Sequence, residues 1–150
     1  MKICLVCSHG GHLVQMSRLL DAFKGHEYFF VTFKSEATMN LKNAYFVKFE
    51  GWDLRGKLLL IKTMIASVKI LVKEKPAVIV TTGAGEIAVP FCYVGKLLGI
   101  KIIYIESLSR ITTPSTAGRF IYPIADVFLV QWDSLLRKYG GKAKYWGQVI

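Results

Sequence analysis

The sequence predicts a doubly wound α/β domain with a Rossmann-like parallel sheet, and three observations lead to that fold class. Strand-like runs rich in Val, Ile, Phe and Tyr alternate with helical stretches along the 150 residues. Several of these strands are apolar throughout, which is typical of parallel strands whose two faces are both covered by helices. Two glycine-bearing turns also stand where an apolar strand should give way to a helix, as in doubly wound sheets.

The first half of the chain supplies three strands and two helices. The strand from Lys2 to Cys7 ends at the first glycine turn, and the helix from His12 to Phe23 follows it. Aromatic and β-branched residues predict two further strands, Tyr28 to Phe33 and Tyr45 to Phe49. A long helix is predicted from Leu54 to Lys75.

The second half repeats the alternation. The strand from Ala77 to Thr81 ends at the second glycine turn, and the helix from Ile87 to Leu98 follows. Apolar residues then predict a strand from Lys101 to Ile105, a weaker helix near Gly118 to Ala125, and a last strand from Val127 to Gln131.

Length and composition limit the possible classes. A chain of 150 residues with 53% hydrophobic content is large enough for a folded core and too apolar for disorder. Because no repeat, low-complexity segment or linker interrupts it, we expect one domain over residues 1–150 with a short tail from Gly140 to Ile150. No apolar run of about 18 residues or more is free of charge, so we expect any membrane contact to be peripheral.

The net charge of +10 favours a phosphate-bearing or anionic partner. Nucleic acid is not the expected partner, because the basic residues are scattered and neither a recognition helix nor an aromatic RNA-binding pattern is present. Phosphorylated small molecules and an anionic lipid surface remain as candidate partners.

The three cysteines are an odd number, and no secretory leader is evident, so we expect a reducing, cytoplasmic location. Cys4 and Cys7 have the spacing of a metal or redox pair. Residues three apart in a strand point to opposite faces, however, and no second ligand pair accompanies them. We therefore expect no metal site and no cofactor.

The two glycine turns read Ser8-His9-Gly10-Gly11-His12 and Thr82-Gly83-Ala84-Gly85-Glu86. Small residues let a ligand approach the backbone, and the helix that follows offers unpaired N–H groups to an anion. Ligands of such sheets bind beyond the carboxyl ends of the strands, so both turns should open into one crevice. Neither turn has the dinucleotide fingerprint or the Walker pattern, which disfavours a nicotinamide dehydrogenase and a P-loop enzyme.

Histidine at the first turn introduces possible acid–base chemistry. An imidazole at the mouth of a crevice can take a proton from a hydroxyl nucleophile near neutral pH, and His12 is the better candidate. The alternative is that His12 is a first-turn residue that only hydrogen-bonds the loop. His9 is expected to be a loop residue that faces solvent or ligand. From the residues alone, the place of Glu86 near a helix N-terminus is a sufficient explanation for it.

Glu106 directly follows the apolar strand Lys101 to Ile105, which places a carboxylate at the same crevice. Ser107 continues this loop, and Arg110 in the same loop could pair with a phosphate oxygen or form an ordinary surface ion pair.

The helix from Leu54 to Lys75 combines a narrow basic stripe with apolar residues on more than one side. The stripe consists of Arg55, Lys62, Lys69 and Lys73, which fall within roughly 40° of one another on a helical projection. One interpretation is an interfacial helix whose lysines meet anionic lipid headgroups. Others are a packed helix with its lysines extended to water, or a groove for a partner protein.

Several of these segments together resemble the amino-terminal half of a GT-B glycosyltransferase. They are Ser8 to Leu13, Thr82 to Pro90, Ile103 to Ser107, Arg119 to Asp126 and Val130 to Trp132. More narrowly, the chain resembles the membrane-recruiting subunit of the two-subunit N-acetylglucosaminyltransferase of dolichol-linked oligosaccharide synthesis and its bacterial and archaeal relatives in polysaccharide synthesis. It is also similar to the single-chain enzyme that glycosylates the lipid-linked precursor of peptidoglycan.

The resemblance implies that this half binds a lipid-linked sugar pyrophosphate, while a separate donor-binding subunit brings the UDP-sugar. It implies that His12 is the base, with Glu106 as a residue that orients the acceptor or as the alternative base. The acceptor-binding residues that the resemblance implies are Gly10, Gly11, Gly83, Gly85 and Glu86. With the neighbouring loop residues Ser8, His9, Ser107 and Arg110 they form the expected acceptor-binding set. We therefore expect an inverting, metal-independent sugar transfer at the cytoplasmic face of the membrane. We also expect this chain to be inactive without the donor-binding subunit.

Two other functions remain possible from the sequence. The chain could be a scaffold that recruits a soluble glycosyltransferase to membranes without contributing catalytic groups. It could also be a small nucleotide-binding α/β protein.

Overall fold

The computed structural model describes residues 1–48 and 54–149, and for residues 54–59 it describes the backbone alone. In this part of the chain seven strands form one parallel sheet. The strands are β1 (Lys2–Val6), β2 (Glu27–Phe33), β3 (Ala44–Val47), β4 (Val78–Thr81), β5 (Lys101–Ile105), β6 (Val127–Val130) and β7 (Ala143–Tyr145).

Five α-helices connect these strands in the described residues. They are α1 (Gly11–Arg18), α2 (Leu54–Glu74), α3 (Gly85–Leu97), α4 (Thr116–Ile121) and α5 (Leu136–Tyr139). Two short 3₁₀ helices, Leu20–Phe23 and Asp133–Leu135, complete the set. The predicted fold class, a doubly wound Rossmann-like parallel sheet, is confirmed.

The strand order is β3-β2-β1-β4-β5-β6-β7, so the direction of winding reverses between β1 and β4. These two strands are hydrogen-bonded neighbours, and Val6 pairs with Thr81 at their carboxyl ends. Both glycine turns therefore leave the sheet side by side at the topological switch point. In doubly wound folds this is the position where ligands bind.

Helices cover both faces of the sheet. One hydrophobic cluster joins strand residues such as Cys4 and Tyr104 to α2, α3 and α4, and the other joins residues such as Cys7 to α1. Cys4 and Cys7 thus lie on opposite faces, as the strand period predicts. Among the described residues no group of three His, Cys, Asp or Glu side chains is arranged to hold a metal ion.

Several predicted boundaries need correction. The first helix ends at Arg18, where the chain tightens into a 3₁₀ turn, and the third begins at Gly85 instead of Ile87. The weak fourth helix lies earlier than predicted, because Ser115 caps it by accepting a hydrogen bond from the backbone N–H of Gly118. The predicted end of the third strand at Phe49 lies outside the described residues.

The predicted tail from Gly140 to Ile150 is not a tail. Residues Ala143–Tyr145 form β7, which adds a seventh strand through pairs such as Phe128 with Ala143. The strand is only three residues long, which explains why the sequence pattern did not reveal it. None of the helices in the described residues is long and apolar enough to cross a membrane.

Candidate functional site

The two glycine turns are hydrogen-bonded to each other. The Nδ1 atom of His12 lies 2.6 Å from the carbonyl oxygen of Thr82, and the hydroxyl of Thr82 donates to the carbonyl oxygen of His12 over 3.0 Å. Because a carbonyl can only accept, Nδ1 carries the proton in this bond. In the neutral ring the lone pair then belongs to Nε2, the nitrogen that could accept a proton.

Gly83 is required at its position for two reasons. Its φ is +114°, a conformation that residues with a side chain rarely adopt, and a β-carbon there would lie 2.7 Å from Cε1 of His12. The next residue, Ala84, also has a positive φ of 69° and precedes the first residue of α3. The tight second turn therefore places the backbone of Gly83, two residues before α3, against the imidazole.

A cavity of about 660 Å³ opens at these turns. It brings together eight of the predicted site residues: Ser8, His12, Gly83, Gly85, Glu86, Glu106, Ser107 and Arg110. Gly10 and Gly11 are not among the residues that line it, and a β-carbon added at either position would have open space around it. His9 lies outside it as well and lines a neighbouring cavity.

The same cavity has an apolar wall and further polar residues that sequence reasoning missed. The wall is formed by Leu60 of α2, Val89 of α3 and Phe120 of α4. The added polar residues are Tyr104, Ser109, Ser115 and Thr116. The sequence did contain a signal for these residues, namely the hydroxyl-bearing side chains in the loop after β5. That loop starts at the carboxyl end of a strand near the switch point, where ligands bind.

Glu106 is fully buried, and both of its carboxylate oxygens are occupied by donors. Oε1 accepts hydrogen bonds from the hydroxyl of Tyr104 at 3.1 Å and from the backbone N–H of Ser107 at 2.8 Å. Oε2 accepts from the backbone N–H of Ser115 at 3.1 Å, from its hydroxyl at 2.9 Å and from the hydroxyl of Tyr139. The carboxylate thereby ties β5, the start of α4 and α5 together.

The two tyrosines that bond Glu106 are held in their neutral, donating form. Burial raises the pKa of Tyr104 well above its usual value, and the nearby Glu106 charge adds to that effect. Burial likewise raises the pKa of Tyr139, and the hydrogen bond to Glu106 raises it further. Both hydroxyls therefore stay protonated and keep donating to the carboxylate.

Two buried glutamines fix the loop that follows Glu106. The Gln131 side-chain N–H group donates to the carbonyl oxygen of Glu106 at 2.7 Å and to the side-chain oxygen of Gln15 at 2.8 Å. Gln15 also accepts from the backbone N–H of Leu108 at 3.3 Å, and the indole of Trp132 donates to the Leu108 carbonyl at 2.7 Å. The loop is therefore pre-organised where it borders the cavity.

Arg110 is exposed at the rim of this loop and forms no ion pair with any described residue. The surface ion pair that the sequence left open is thus absent from the described residues. A guanidinium at the edge of a cavity without a carboxylate partner is available to an anionic ligand.

The exposed face of α2 is apolar, while its buried face contains polar residues. Thr63 and Ser67 are 4% and 0% exposed, whereas Ile61 and Ile65 are 56% and 51% exposed. Other large apolar side chains at least 44% exposed on this face are Leu60, Met64, Val68 and Val72. We call the six the α2 apolar face. The alternative of a packed helix with its lysines extended to water therefore accounts for the buried face of the described residues but not for the α2 apolar face.

The basic stripe on this helix is only partly free. Lys62 and Lys69 are exposed, but the ammonium of Lys73 donates to the hydroxyl of Tyr45 at 3.0 Å and lies 5.3 Å from its ring centroid. The side chain of Arg55 lies outside the described residues.

Comparison with known proteins identifies the family. A family model described as "Oligosaccharide biosynthesis protein Alg14 like" matches residues 54–149. The chain belongs to this family. The match spans α2 to β7 and so includes the second glycine turn, Glu106 and the loop that follows it.

Curated members of the Alg14 family are similar along the chain. The UDP-N-acetylglucosamine transferase subunit ALG14 of Candida albicans is 42% identical over 96 residues, which cover 60% of this chain and 43% of that protein. The subunit of the same name from Yarrowia lipolytica is 29% identical over an alignment 177 residues long. That alignment covers 99% of this chain and 81% of that protein. The aligned part is thus less than half of the Candida protein.

Solved structures share the fold at low sequence identity. MurG of Acinetobacter baumannii has a TM-score of 0.78 and 13% identity, with 97% of this chain covering 45% of that one. The UDP-GlcNAc 2-epimerase of Methanocaldococcus jannaschii has a TM-score of 0.76 and 17% identity, with 99% of this chain covering 46% of that one. The fold matches the N-terminal domains of GT-B glycosyltransferases, so the resemblance found in the sequence is confirmed.

Proposed function

We propose that this chain, over residues 1–150, is the acceptor-side domain of a two-component inverting glycosyltransferase. The enzyme moves a sugar, N-acetylglucosamine by analogy with the printed names of the relatives, from a UDP-sugar to a lipid-linked sugar pyrophosphate. The observation that carries the proposal is the His12–Thr82 contact, which assigns the proton of the imidazole to Nδ1 and leaves Nε2 as a base beside the cavity.

The proposed chemistry is a single displacement. Nε2 of His12 takes the proton of the acceptor hydroxyl while the hydroxyl oxygen forms a bond to C1 of the donor sugar. The bond from C1 to the diphosphate breaks at the same time, and UDP leaves from the opposite face. One displacement inverts the configuration at C1.

We assign Glu106 a positioning role rather than that of the alternative base. Five donors occupy its oxygens and its side chain is fully buried, so it is not available to take a proton from the acceptor. It holds Ser107 and the loop to Arg110 against the cavity. Through this loop it orients the acceptor without touching the reacting atoms.

The acceptor diphosphate is proposed to lie between the start of α3 and Arg110. Gly83 and Gly85 allow close approach to the backbone, and the amino end of a helix favours an anion. Arg110 and Ser107 supply a cation and a hydroxyl to the phosphate oxygens. Ser8 and Glu86 border the same space, where the acceptor sugar would contact them.

The apolar wall of the cavity and the α2 apolar face are proposed to meet lipid. Leu60 belongs to both, so an apolar surface continues from the cavity onto the outside of the helix. Lys62 and Lys69 on this helix would face anionic headgroups, each contributing about 1 kcal/mol near the surface. This arrangement would keep the domain peripheral on the cytoplasmic face of the membrane.

The donor half is proposed to come from a separate subunit. The curated relatives are named as transferase subunits, which supports a partner that supplies the rest of the enzyme. The cavity would then be one side of a cleft that the partner completes. On this account the isolated chain transfers no sugar.

Reconstitution tests this division of labour. Radiolabelled N-acetylglucosamine from the UDP-sugar should reach a polyprenyl diphosphate N-acetylglucosamine acceptor when the chain and its donor-binding subunit are mixed, and neither alone should be active. Transfer by this chain alone at the rate of the mixture would contradict the proposal.

A scaffold role is the second candidate, because the α2 apolar face could recruit a partner to membranes without any catalytic group. The His12–Thr82 bond would then serve only to join the turns. Replacing His12 and Glu106 by alanine separates the two, since unchanged turnover in a folded complex would favour the scaffold.

A further inference from the structure

A second cavity of about 510 Å³ lies beside the first at the carboxyl edge of the sheet. It is lined by Ser8, His9, Phe33, Lys34, Val47, Lys48 and Glu86. Ser8 and Glu86 line both cavities, so the two cavities adjoin at the first glycine turn.

Two lysines dominate the charge of this second cavity. Lys34 and Lys48 directly follow β2 and β3, and the residues before them, Phe33 and Val47, are paired neighbours in the sheet. Because paired parallel strands lie about 4.8 Å apart, the backbones of the two lysines leave the sheet edge side by side. Within the described part of the chain neither lysine forms an ion pair, and Glu86 is the one carboxylate among the residues named for this cavity, so its described lining carries a net positive charge.

The proposed reaction, on which this inference rests, brings two diphosphates to one cleft, each with a negative charge on both phosphates. Among the described residues that line the first cavity, Arg110 is the one Lys or Arg side chain. One guanidinium cannot neutralise both groups. The second cavity supplies the cations that the first one lacks.

We propose that Lys34 and Lys48, with His9 and Ser8, form an anion subsite that binds a diphosphate diester. The apolar wall of the first cavity fits the lipid-linked acceptor, which leaves the diphosphate of the nucleotide sugar as the ligand that the second cavity receives. There the lysines would stabilise the charge that grows on the leaving diphosphate as its bond to C1 breaks. This chain would thus contribute residues to the donor side of the reaction.

Titration of the full chain with inorganic pyrophosphate tests the subsite without any enzyme assay. The double variant Lys34→Gln/Lys48→Gln should bind pyrophosphate about tenfold or more weakly, because two charge-assisted contacts are lost. The matched control is Lys42→Gln/Lys101→Gln, which removes the same charge from exposed positions at the amino edge of the sheet. Equal pyrophosphate affinity in the two double variants would overturn the proposal.

Kinetics of the complex with the donor-binding subunit identify which substrate uses the subsite. A rise in KM for the UDP-sugar in Lys34→Gln/Lys48→Gln, with the acceptor KM unchanged, assigns it to the donor. A rise in acceptor KM alone assigns the same diphosphate subsite to the lipid-linked substrate, and no rise in either contradicts a subsite. If the wild-type complex transfers no sugar, the proposed function fails, whereas the pyrophosphate titration still decides whether the subsite exists.

Discussion

The Nδ1 atom of His12 donates to the carbonyl oxygen of Thr82 over 2.6 Å, which joins residues from two turns that are 70 positions apart in the chain. The bond fixes the tautomer of the imidazole and also the distance between the two turns. Together with the bond from the Thr82 hydroxyl to the His12 carbonyl, this contact sets the geometry of the proposed base beside the cavity.

Substitution of Gly83 should damage this contact selectively. In Gly83→Ala the new methyl group would lie 2.7 Å from Cε1 of His12, so the ring must move away from the Thr82 carbonyl. The control is Gly25→Ala, which has a φ of +84° but open space around the new methyl group. Both variants should lose about 1 to 3 kcal/mol of unfolding free energy from backbone strain, while only Gly83→Ala loses sugar transfer. Equal activity of the two variants would contradict the role given to the contact.

Removing the charge of Glu106 should destabilise the fold. Glu106→Gln turns one acceptor oxygen into an NH₂ group that faces buried donors, at a cost of about 1 to 3 kcal/mol in unfolding free energy for each lost bond. Urea unfolding measures this loss. Glu36→Gln, at an exposed position, is the control and should stay within about 0.5 kcal/mol of wild type. An unchanged midpoint for Glu106→Gln would argue against the network.

The three cysteines should resist thiol reagents in the folded protein. All three are buried, and burial raises the pKa of Cys7 to about 12 and the pKa values of Cys4 and Cys92 well above the ordinary range. Because the thiolate is the reactive form, iodoacetamide should label none of them near pH 8 without urea and all three with it. Fast labelling of the native chain would contradict the burial of these three thiols.

Acid should weaken the contact between α2 and the sheet edge. Two hydrogen bonds hold the pKa of Glu74 below its usual value. The larger effect comes from the Tyr45 hydroxyl and the next from the ammonium of Lys2. Its stabilising effect is therefore present above the ordinary glutamate pKa of about 4.3 and is lost as pH falls through the lower folded-state value. Urea unfolding should give wild type a larger free energy of unfolding than Glu74→Gln at neutral pH, and this difference should disappear at acidic pH. A difference independent of pH would contradict this linkage.

The α2 apolar face should bind anionic vesicles. In Ile61→Ser/Ile65→Ser, cosedimentation with vesicles of phosphatidylcholine and phosphatidylglycerol should fall about tenfold or more, because two exposed apolar side chains no longer enter the interface. Met39→Ser/Leu97→Ser, at two other exposed apolar positions, is the control. Equal losses in both variants would show that this face has no special role.

The alternation of elements and the two turns could be predicted because they depend on local patterns. The apolar strands ending at Cys7 and Thr81 and the glycines that follow them are visible in the sequence, and parallel strands place their carboxyl ends at one edge. The register of Val6 with Thr81 then brings the turns together.

The surroundings of Glu106 could not be predicted, because they come from elements distant in the chain. Tyr139 lies 33 positions away on a four-residue helix whose pattern is too short to recognise. Likewise α2 reads as apolar on several sides, and which side is buried depends on the helix it packs against. Periodicity shows that a helix has faces but not that Ser67 would be buried and Ile61 exposed.

The pH dependence of sugar transfer by the complex tests the role of His12 most directly. His12→Gln should lower kcat about 10² to 10⁴-fold and remove the loss of rate on the acidic side that protonation of a histidine base causes. His26→Gln, at an exposed position before β2, should leave both unchanged. A His12→Gln complex with wild-type kcat and the same pH profile would contradict the proposed mechanism.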